Sequence, residues 1–395
     1  MPFDLTVDKL VYGGDGLGRV DGRVVLAPYV LAGERVRVQP EQEKPGLVRA
    51  STLEVLEEAA GRVAPPCPYF ARCGGCHYQH MNYEAQLAAK RSILAEELQR
   101  LGKIEPPETI EIIAAEPWGY RNRAQFHIEG HQLGYRRARS HELCAIEHCP
   151  ISSPRINDTI GVLNDMLRDA RWPGFVRSLE IFTDEQQVQL NILDTSRPVA
   201  RRFFDWCAER IPGLVAGALD YQGRYRVSSN SFFQVNRFLV DRLVMTAVEG
   251  TQGESALDLY AGAGLFALAL AQAFSRVTAV ESGSAAVRDL RFNAERAGRS
   301  NIVAEQSTTE AWLERLEQAP DFVLLDPPRA GLGKVVVRRL AELRPPLLAI
   351  VSCDPATLAR DMAGLLAAGY RIEKMIVADL FPQTYHVETV VKLAV

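Results

Sequence analysis

The first part of the chain alternates between apolar and polar residues in short runs, such as the one that contains Val36 and Val38. Alternation with a period of two is typical of strands that bury one face. The dipeptide Asp21-Gly22 lies between two such runs and is typical of a two-residue hairpin turn. Residues 1–57 therefore predict a small OB-like β-barrel of about five strands. Such barrels bind RNA in some proteins and are purely structural in others, and the pattern favours neither role.

The middle of the chain predicts a mixed α+β domain over residues 58–227. Residues 83–101 have the periodicity of an amphipathic helix, which Gly102 is expected to end. Strand-like runs follow at 125–129 and 188–193, with turn residues between them.

From residue 228 onward, helical segments alternate with short apolar strands. This order is typical of a doubly wound parallel sheet. The sequence therefore predicts an α/β protein with a C-terminal Rossmann-like domain over residues 228–395. The expected strands are 256–259, 277–280, 322–325, 347–351 and 389–393, and a helix is expected at 265–274.

Length and composition narrow the class of protein. A chain of 395 residues exceeds one ordinary core, so two or three domains are expected. The formal net charge is −4, so any surface for a nucleic acid must be a local basic patch. No basic segment followed by an apolar run opens the chain, and no apolar stretch reaches membrane-spanning length. We expect a cytoplasmic protein with no membrane partner.

Three closely spaced cysteines, Cys67, Cys73 and Cys76, suggest a metal site, because a cytoplasmic chain with seven cysteines is not a disulfide framework. Glycines 74 and 75 would let the backbone wrap around an ion or a cluster. A remote Cys149 is the candidate for the fourth thiolate, and Cys144 competes with it. Three clustered ligands and one remote ligand favour an iron–sulfur cluster, although structural zinc stays open. Cys207 lies in an apolar helical run and is expected in the core.

A cofactor cradle is predicted where the strand at 256–259 enters Gly262-x-Gly264. Glu281 follows about 20 residues later, where an acid can hold both ribose hydroxyls of a nucleotide cofactor. Ala267 would complete a dinucleotide fingerprint, so a dehydrogenase stays open at this point. Asp326 precedes two prolines, which fix a rigid turn beside any bound cofactor or merely end the strand.

Cys353 follows the strand at 347–351 and precedes a helix, and Glu388 comes one element later. A nucleophile at the carboxyl end of a strand with an acid/base partner nearby is a layout for covalent catalysis. The following helix N-terminus is expected to favour the thiolate of Cys353. The competing interpretation is a buried structural cysteine.

Several segments support one family when they are taken in order. They are CPYFARCGGCHYQH, GYRNRAQFHI, LGYRRARSHELCAIEHCPIS, SNSFFQVN, DLYAGAGLF, DPPRAG, VSCDPATLARD and FPQTYHVETV. Their order and spacing cover nearly the whole chain and resemble the RNA uracil-5-methyltransferase family. The N-terminal barrel is similar to the TRAM domain of that family.

The resemblance implies roles for particular residues. Cys353 would be the nucleophile and Glu388 the base. The ligands of a four-iron four-sulfur cluster would be Cys67, Cys73, Cys76 and Cys149. The residues around S-adenosylmethionine would be Gln234, Tyr260, Leu265 by its backbone, Glu281 and Asp326. The chain departs from the family pattern at Leu265, where many members have a polar side chain, and at Asp354, where Asn is commoner. Thr308 matches a cofactor-contacting position only weakly.

The implied reaction explains why a cysteine and a carboxylate are needed. Thiolate addition at carbon 6 of uracil makes carbon 5 nucleophilic enough to take a methyl group, and Glu388 then removes the proton from carbon 5. The RNA would present a flipped uridine from a loop. Large-subunit ribosomal RNA is the expected substrate by analogy with family members that have both barrel and cluster, and transfer RNA is the runner-up. We expect a monomer.

Basic and aromatic residues that follow the cysteine cluster are candidates for RNA contact, with a solvated charged face as the alternative. They are Arg121, Arg123, Tyr135, Arg136, Arg137 and Arg139. Two functions of other classes are less consistent with the sequence. A catalytically silent RNA-binding protein is disfavoured because both Cys353 and Glu388 are present, and a redox enzyme is disfavoured because no flavin or nicotinamide module accompanies the cysteines.

Overall fold

The computed structural model describes all 395 residues. The first 57 form a curled six-stranded sheet in the order β1-β5-β6-β4-β3-β2, one strand more than expected. Its strands are β1 (Phe3–Thr6), β2 (Lys9–Leu10), β3 (Asp15–Val20), β4 (Arg23–Pro28), β5 (Arg35–Lys44) and β6 (Leu47–Glu57). Alternate valines of these strands, among them Val36, Val38 and Val48, point inward and form its core.

The predicted hairpin turn at Asp21-Gly22 is confirmed. Val20 pairs with Arg23, so the loop between β3 and β4 has two residues. Their φ angles are 50° and 75°. Positive φ at both central residues is what a type I′ turn requires, and Asp-Gly adopts it at low cost.

The middle of the chain contains a second six-stranded sheet, in the order β10-β9-β8-β11-β12-β13. Two helices cover it, and the buried Cys207 lies in the core between them and the sheet, as predicted. The elements of this part are α1 (Tyr83–Glu97), β7 (Glu111–Ile113), β8 (Arg123–Glu129), β9 (Gln132–Arg136), β10 (Leu143–Ala145), α2 (Pro154–Met166), β11 (Val176–Thr183), β12 (Val188–Thr195), α3 (Arg201–Arg210), β13 (Leu214–Val215), β14 (Ala218–Tyr221) and β15 (Tyr225–Ser228).

The predicted helix at 83–101 is present, but its last turn is not α-helical. Helix α1 ends at Glu97 and continues as one π-helical turn over Leu98–Gly102, and Lys103 then adopts a left-handed φ of 55°. A Cβ on Gly102 would lie 2.8 Å from the backbone oxygen of Ala359. Gly102 is therefore needed for close packing against a later helix rather than for a helix cap.

The C-terminal part is an eight-stranded sheet in the order β18-β17-β16-β19-β20-β22-β21-β7, with helices between the strands. Its remaining elements are α4 (Val240–Val248), β16 (Gly253–Leu259), α5 (Leu265–Leu270), β17 (Phe274–Glu281), α6 (Ser284–Arg296), β18 (Ile302–Gln306), α7 (Thr309–Leu313), β19 (Phe322–Leu325), α8 (Gly333–Leu343), β20 (Leu347–Ser352), α9 (Pro355–Ala367), β21 (Arg371–Ala378) and β22 (Glu388–Ala394). The five predicted strands are present, and β18 and β21 are additional.

Three details of this sheet differ from expectation. Strand β22 runs antiparallel to both of its neighbours, so the sheet is not wholly parallel. Helix α5 is shorter than predicted, because Phe274 already belongs to β17 and stacks on Phe322 with ring centroids 5.9 Å apart. Strand β7, from the part of the chain assigned to the central domain, pairs with β21 and adds an edge to the C-terminal sheet.

The strand order of this sheet determines where a ligand can bind. The chain order reverses between β16 and β19, which are hydrogen-bonded neighbours. In open α/β sheets, such a switch point leaves a crevice at the carboxyl ends of the strands. The segments after Leu259 and Leu325 face this crevice. None of the helices combines the length and the apolar character that crossing a membrane requires.

A buried ion pair joins the middle of the chain to the C-terminal sheet. The Nζ atom of Lys90, on α1, lies 2.6 Å from Oδ1 of Asp379, and neither side chain is exposed. Lys90 also donates to the backbone oxygen of Phe381 at 2.8 Å, and the Tyr83 hydroxyl donates to Asp379 at 2.8 Å. The loop between β21 and β22 is therefore anchored from outside its own domain.

We expect Lys90→Met to lower the free energy of unfolding by about 3–5 kcal/mol, because it leaves the Asp379 carboxylate buried without its cation. Guanidinium denaturation followed by circular dichroism measures the loss. Arg19→Met is the control, since the pair between Arg19 and Asp8 is exposed and spans 3.4 Å. It should leave the stability nearly unchanged, and equal losses in the two variants would contradict the assignment.

Candidate active site

The loop after β16 has the backbone shape of a cofactor cradle. Tyr260, Gly262 and Gly264 all have left-handed φ angles, of 65°, 54° and 92°. Such a φ is uncommon for a tyrosine and marks a strained position that the surrounding structure holds in place. A Cβ on Gly264 would lie 2.4 Å from Cδ1 of Leu290. The loop therefore packs directly against α6, and only glycine fits there.

Glu281 closes β17 at the mouth of this loop. Its Oε2 accepts a hydrogen bond from the backbone N–H of Gly262 at 3.0 Å, and its Oε1 accepts one from Gly283 at 2.6 Å. A carboxylate has about four acceptor positions, so it can accept further hydrogen bonds from a ligand's hydroxyls. The backbone of the glycine loop thus orients the predicted ribose-binding acid.

Two further residues predicted near the cofactor, Leu265 and Thr308, lie at the N-termini of helices. Leu265 is the first residue of α5 and is buried, so that its backbone, not its side chain, is next to the loop. Thr308 caps α7, since its hydroxyl oxygen accepts a hydrogen bond from the N–H of Ala311 at 3.2 Å. The structure accounts for Thr308 as a helix cap.

Acidic side chains converge at the carboxyl edge of the sheet. Burial raises the pKa of Asp326 to about 7. Burial, followed by the nearby Asp326, also holds the pKa values of Asp258 and Glu388 well above their usual range. Gln234, whose Nε2 lies 3.5 Å from Oδ2 of Asp326, is a polar neighbour. Arg329 acts on Glu388 but does not offset the effect of burial, so a positively charged ligand such as a sulfonium would stabilise the ionised forms of these acids.

Cys353 and Glu388 are brought together by the pairing of β20 with β22. Ser352 pairs with Thr389, and Cys353 and Glu388 are the next residues toward the open end of this antiparallel pair. They therefore occupy opposed positions on adjacent strands. Burial and then the charge of Glu388 raise the pKa of the Cys353 thiol to about 12, and Arg329 opposes this increase.

The helix after Cys353, which was expected to favour the thiolate at the moment of attack, already has a capped N-terminus in the ligand-free protein. Asp354 is the N-cap of α9, and its Oδ1 accepts hydrogen bonds from the N–H groups of Ala356 and Thr357 at 3.0 and 2.9 Å. A carboxylate already occupies the positive end of the helix. Cys353 is consequently a neutral thiol near pH 7.

The N-terminal sheet contributes to the wall of this site, which sequence reasoning missed. The hydroxyl of Tyr12 donates to Oδ2 of Asp354 at 3.1 Å, and its ring meets that of Tyr385 edge-on with centroids 5.6 Å apart. Tyr385 also packs on His77 and His386. Tyr12 and Asp354 are 342 residues apart, so no local pattern could have revealed the contact.

The segment that carries Gln234 also presents an aromatic side chain that sequence reasoning did not single out. Phe233 is buried and packs against Tyr221 and Tyr225, with ring centroids 4.7 and 5.4 Å apart. Its neighbour Phe232 is 62% exposed and lines a cavity of about 490 Å³.

The structure brings the cysteines of the predicted metal site close to one another. Burial raises the pKa of Cys73 to about 12, and Cys144, Cys149 and Cys67 add to the increase. Cys149 also contributes to the raised pKa values of Cys67 and Cys76. Cys149 therefore lies near all three clustered cysteines, and Cys144 lies near Cys73.

The types of residue around these thiols suit a metal centre with thiolate ligands. The cysteine side chains are not arranged in a metal-binding geometry. Four thiols form a donor set that suits an iron–sulfur cluster or zinc. Several buried polar atoms nearby have no hydrogen-bond partner. These atoms are Oε1 of Gln79, Nε of Arg121, the hydroxyl of Tyr135 and Oγ of Ser152.

The predicted RNA-contacting residues divide into two groups. Arg123 pairs with the buried Glu180 at 2.7 Å, and Arg121 and Tyr135 have buried polar atoms, so these three belong largely to the framework. Three others line an open cleft of about 740 Å³ and stay exposed, although acidic residues pair with them. They are Arg136, Arg137 and Arg139, whose partners are Glu129, Glu142 and Asp15.

Known proteins resemble the chain over its whole length. A family model described as tRNA (Uracil-5-)-methyltransferase matches residues 169–395. An uncharacterized RNA methyltransferase of Aquifex aeolicus is 31% identical over 431 aligned positions, which cover 100% of this chain and 99% of that protein. A 23S rRNA (uracil(1939)-C(5))-methyltransferase of Halomonas elongata is 33% identical over 434 positions, which cover 99% and 89% of the two chains.

A solved structure shares the fold. The crystal structure of a Pyrococcus abyssi tRNA (uracil-54, C5)-methyltransferase in complex with S-adenosyl-L-homocysteine matches with a TM-score of 0.78 and 25% sequence identity. The match covers 99% of this chain and 100% of the archaeal chain. The likeness therefore includes the N-terminal curled sheet and the central part as well as the Rossmann-like domain.

The raised pKa of Cys353 predicts slow alkylation by iodoacetamide near pH 7 and a rate that keeps rising to pH 10, because the thiolate fraction grows throughout this range. Glu388→Gln removes the carboxylate charge that raises this pKa, so alkylation at pH 9 should become several-fold faster. Glu388→Asp keeps the charge and is the control. Mass spectrometry of the Cys353 peptide gives the rate, and a plateau near pH 8 would be incompatible with the assignment.

Proposed function

Because this chain belongs to the RNA uracil-5-methyltransferase family and is an S-adenosylmethionine-dependent enzyme, we propose that it methylates carbon 5 of a uridine in large-subunit ribosomal RNA. Cys353 is the nucleophile and Glu388 is the base. The observation that carries the proposal is the placement of Cys353, directly after β20, opposite Glu388, the first residue of β22, at the edge where the buried acids converge. Membership of this family sets the dehydrogenase interpretation aside.

The cofactor-binding residues proposed are Gln234, Tyr260, Leu265 by its backbone, Glu281 and Asp326. Bound S-adenosylmethionine supplies an electrophilic methyl group on a positively charged sulfur. The backbone-oriented carboxylate of Glu281 would accept hydrogen bonds from ribose hydroxyls. Burial raises the pKa of Asp326 to about 7, and a bound cation next to it would lower this pKa and favour the ionised carboxylate.

Cys353 begins the reaction by adding its sulfur to carbon 6 of the uracil. The thiol must first lose its proton, so the resting protein holds the nucleophile in its unreactive form until substrate is in place. Addition moves electron density to carbon 5, which would then take the methyl group as its bond to the cofactor sulfur breaks, leaving S-adenosylhomocysteine. Carbon 5 now carries both a proton and the new methyl group.

Glu388 completes the reaction by taking the proton from carbon 5. The electron pair of that C–H bond forms the carbon 5–carbon 6 double bond, and the sulfur of Cys353 leaves. Only the ionised carboxylate can act as this base. Arg329 lowers the pKa of Glu388 against the effect of burial and so supports the ionised form.

The substrate is proposed to reach the site as a flipped uridine. The exposed ring of Phe232 offers a stacking surface next to Gln234, and the cleft with Arg136, Arg137 and Arg139 offers phosphate contacts. Ribosomal RNA is supported by the Halomonas relative, whose name specifies 23S rRNA. Transfer RNA is the alternative, since the family description and the Pyrococcus enzyme both specify it.

We further propose a domain division and a second prosthetic group. The division is a TRAM-like barrel at 1–57, an iron–sulfur central domain at 58–227 and a methyltransferase domain at 228–395. The ligands of a four-iron four-sulfur cluster are Cys67, Cys73, Cys76 and Cys149. The nearness of Cys149 to the three clustered cysteines supports its choice over Cys144. The enzyme is proposed to act in the cytoplasm as a monomer.

Deleting the gene should remove 5-methyluridine from one position of large-subunit ribosomal RNA, as mapped by mass spectrometry of nuclease fragments. Wild-type protein supplied in trans should restore it, and Cys353→Ala should not. Loss confined to transfer RNA would favour the alternative substrate. Loss from neither RNA would refute the substrate class.

RNA with 5-fluorouridine at the target position should be methylated once and then stay bound, because fluorine cannot leave carbon 5 as a cation. We expect an adduct that survives denaturation and migrates slowly in gel electrophoresis. Cys353→Ala should form none, whereas Glu388→Gln should accumulate an adduct even on ordinary uridine and turn over roughly 10²–10⁴-fold more slowly. An adduct that forms without Cys353 would place the nucleophile elsewhere.

Anaerobically purified protein should contain about four irons and four sulfides per chain. Cys149→Ser should lose most of the iron, because it removes a proposed ligand. Cys144→Ser is the matched control and should keep it. Stoichiometric zinc without iron in the wild-type protein, or the reverse order of the two variants, would be inconsistent with this ligand set.

A further inference from the structure

Arg121 is a cation without an anionic partner in a partly buried place. Its Nε is buried and has no hydrogen-bond acceptor. The groups that act on its charge are Tyr120, Tyr135, Cys149 and Cys76, and no carboxylate is among them. Arg123, two residues further on, pairs instead with Glu180 at 2.7 Å.

A guanidinium taken partly out of water needs compensation from hydrogen bonds or from a negative charge. The protein groups next to Arg121 are hydroxyls and thiols rather than carboxylates, and its Nε finds no acceptor among them. A four-thiolate metal centre has a net charge of about −2, whether it holds a four-iron four-sulfur core or zinc. Such a centre would provide the missing anion next to the place where the backbone of Arg121 pairs with Ser152, three residues after Cys149.

We infer that Arg121 provides the positive charge that compensates an anionic four-cysteine cluster and thereby retains it. The inference rests on the cluster proposed above. Hydrogen bonds and charges from groups outside the ligand set commonly determine how firmly a metal centre is held.

The backbone around Arg121 connects the cluster ligands to the cofactor wall. On one side, the N–H of Arg121 donates to the oxygen of Ile151 at 2.9 Å, and the N–H of Ser153 donates to the oxygen of Arg121 at 2.9 Å. On the other side, the N–H of Asn122 donates to the oxygen of Val235 at 3.0 Å. The segment thus lies between the Cys149 loop and the strand-like segment that carries Gln234, so that loss of the cluster should also weaken cofactor binding.

The test compares holoprotein of the wild type, Arg121→Gln and Arg121→Lys, all purified without oxygen. Iron transfer to a chelator is followed by absorbance, and affinity for S-adenosylhomocysteine is measured by calorimetry. Arg121→Gln should release iron at least about tenfold faster and bind S-adenosylhomocysteine more weakly. Arg121→Lys keeps the charge and should stay within about threefold of the wild type. Equal release rates in all three proteins would overturn the inference.

A second variant covers the case in which Arg121→Gln does not accumulate. In Arg121→His the charge is removed by raising the pH, so iron release relative to the wild type should accelerate between pH 6 and 9. A pH profile parallel to that of the wild type would also overturn the inference. Absence of iron from the wild-type protein is a different result, because it refutes the proposed cluster itself.

Discussion

The antiparallel insertion of β22 between β20 and β21 is the constraint on which the candidate active site depends. It places Glu388 opposite Cys353, and the pairing of Ser352 with Thr389 fixes that register. Side chains alternate between the faces of a strand, so a slip of one residue would turn Glu388 away from the nucleophile. The loop before β22 is held by the Lys90–Asp379 ion pair. The register is thus supported by parts of the chain that precede the sheet.

The electrostatics of the site disfavour the charged forms of its cysteine and carboxyl groups in the ligand-free protein. Burial keeps Cys353 protonated and raises the pKa of Glu388 and of Asp326. A positively charged ligand would reverse these shifts, since it stabilises carboxylates and thiolates alike. The acid-rich edge therefore favours binding of a cation and makes reactivity conditional on it. A cysteine that stays neutral until then is also protected from oxidation, which proceeds through the thiolate.

Local pattern in the sequence was sufficient for much of this architecture. The type I′ turn at Asp21-Gly22, the five C-terminal strands, and the position of Cys353 at a strand end followed from periodicity and turn chemistry. The exact ends of helices and strands could not be predicted from the sequence, because tertiary packing determines them. Helix α1 ends in a π-helical turn where Gly102 meets Ala359, and β17 begins at Phe274 because that ring stacks on Phe322. Contacts between distant segments, such as the bond from Tyr12 to Asp354, leave no signal in a single sequence. The raised pKa of Cys353 leaves no such signal either, since it depends on burial and on the neighbouring Glu388.

The edge strand β7 makes the C-terminal sheet depend on a segment of the chain outside residues 228–395. Residues 228–395 contain the proposed nucleophile, the proposed base and most of the cradle, and they look like a self-sufficient catalytic module along the sequence. In space, that module lacks its outermost strand and the lysine that neutralises Asp379, because both come from the chain before residue 114. Excised alone, it would present the bare edge of β21 to other chains. Recombination between relatives could therefore exchange substrate specificity only if helix α1 and strand β7 were transferred together with the catalytic half.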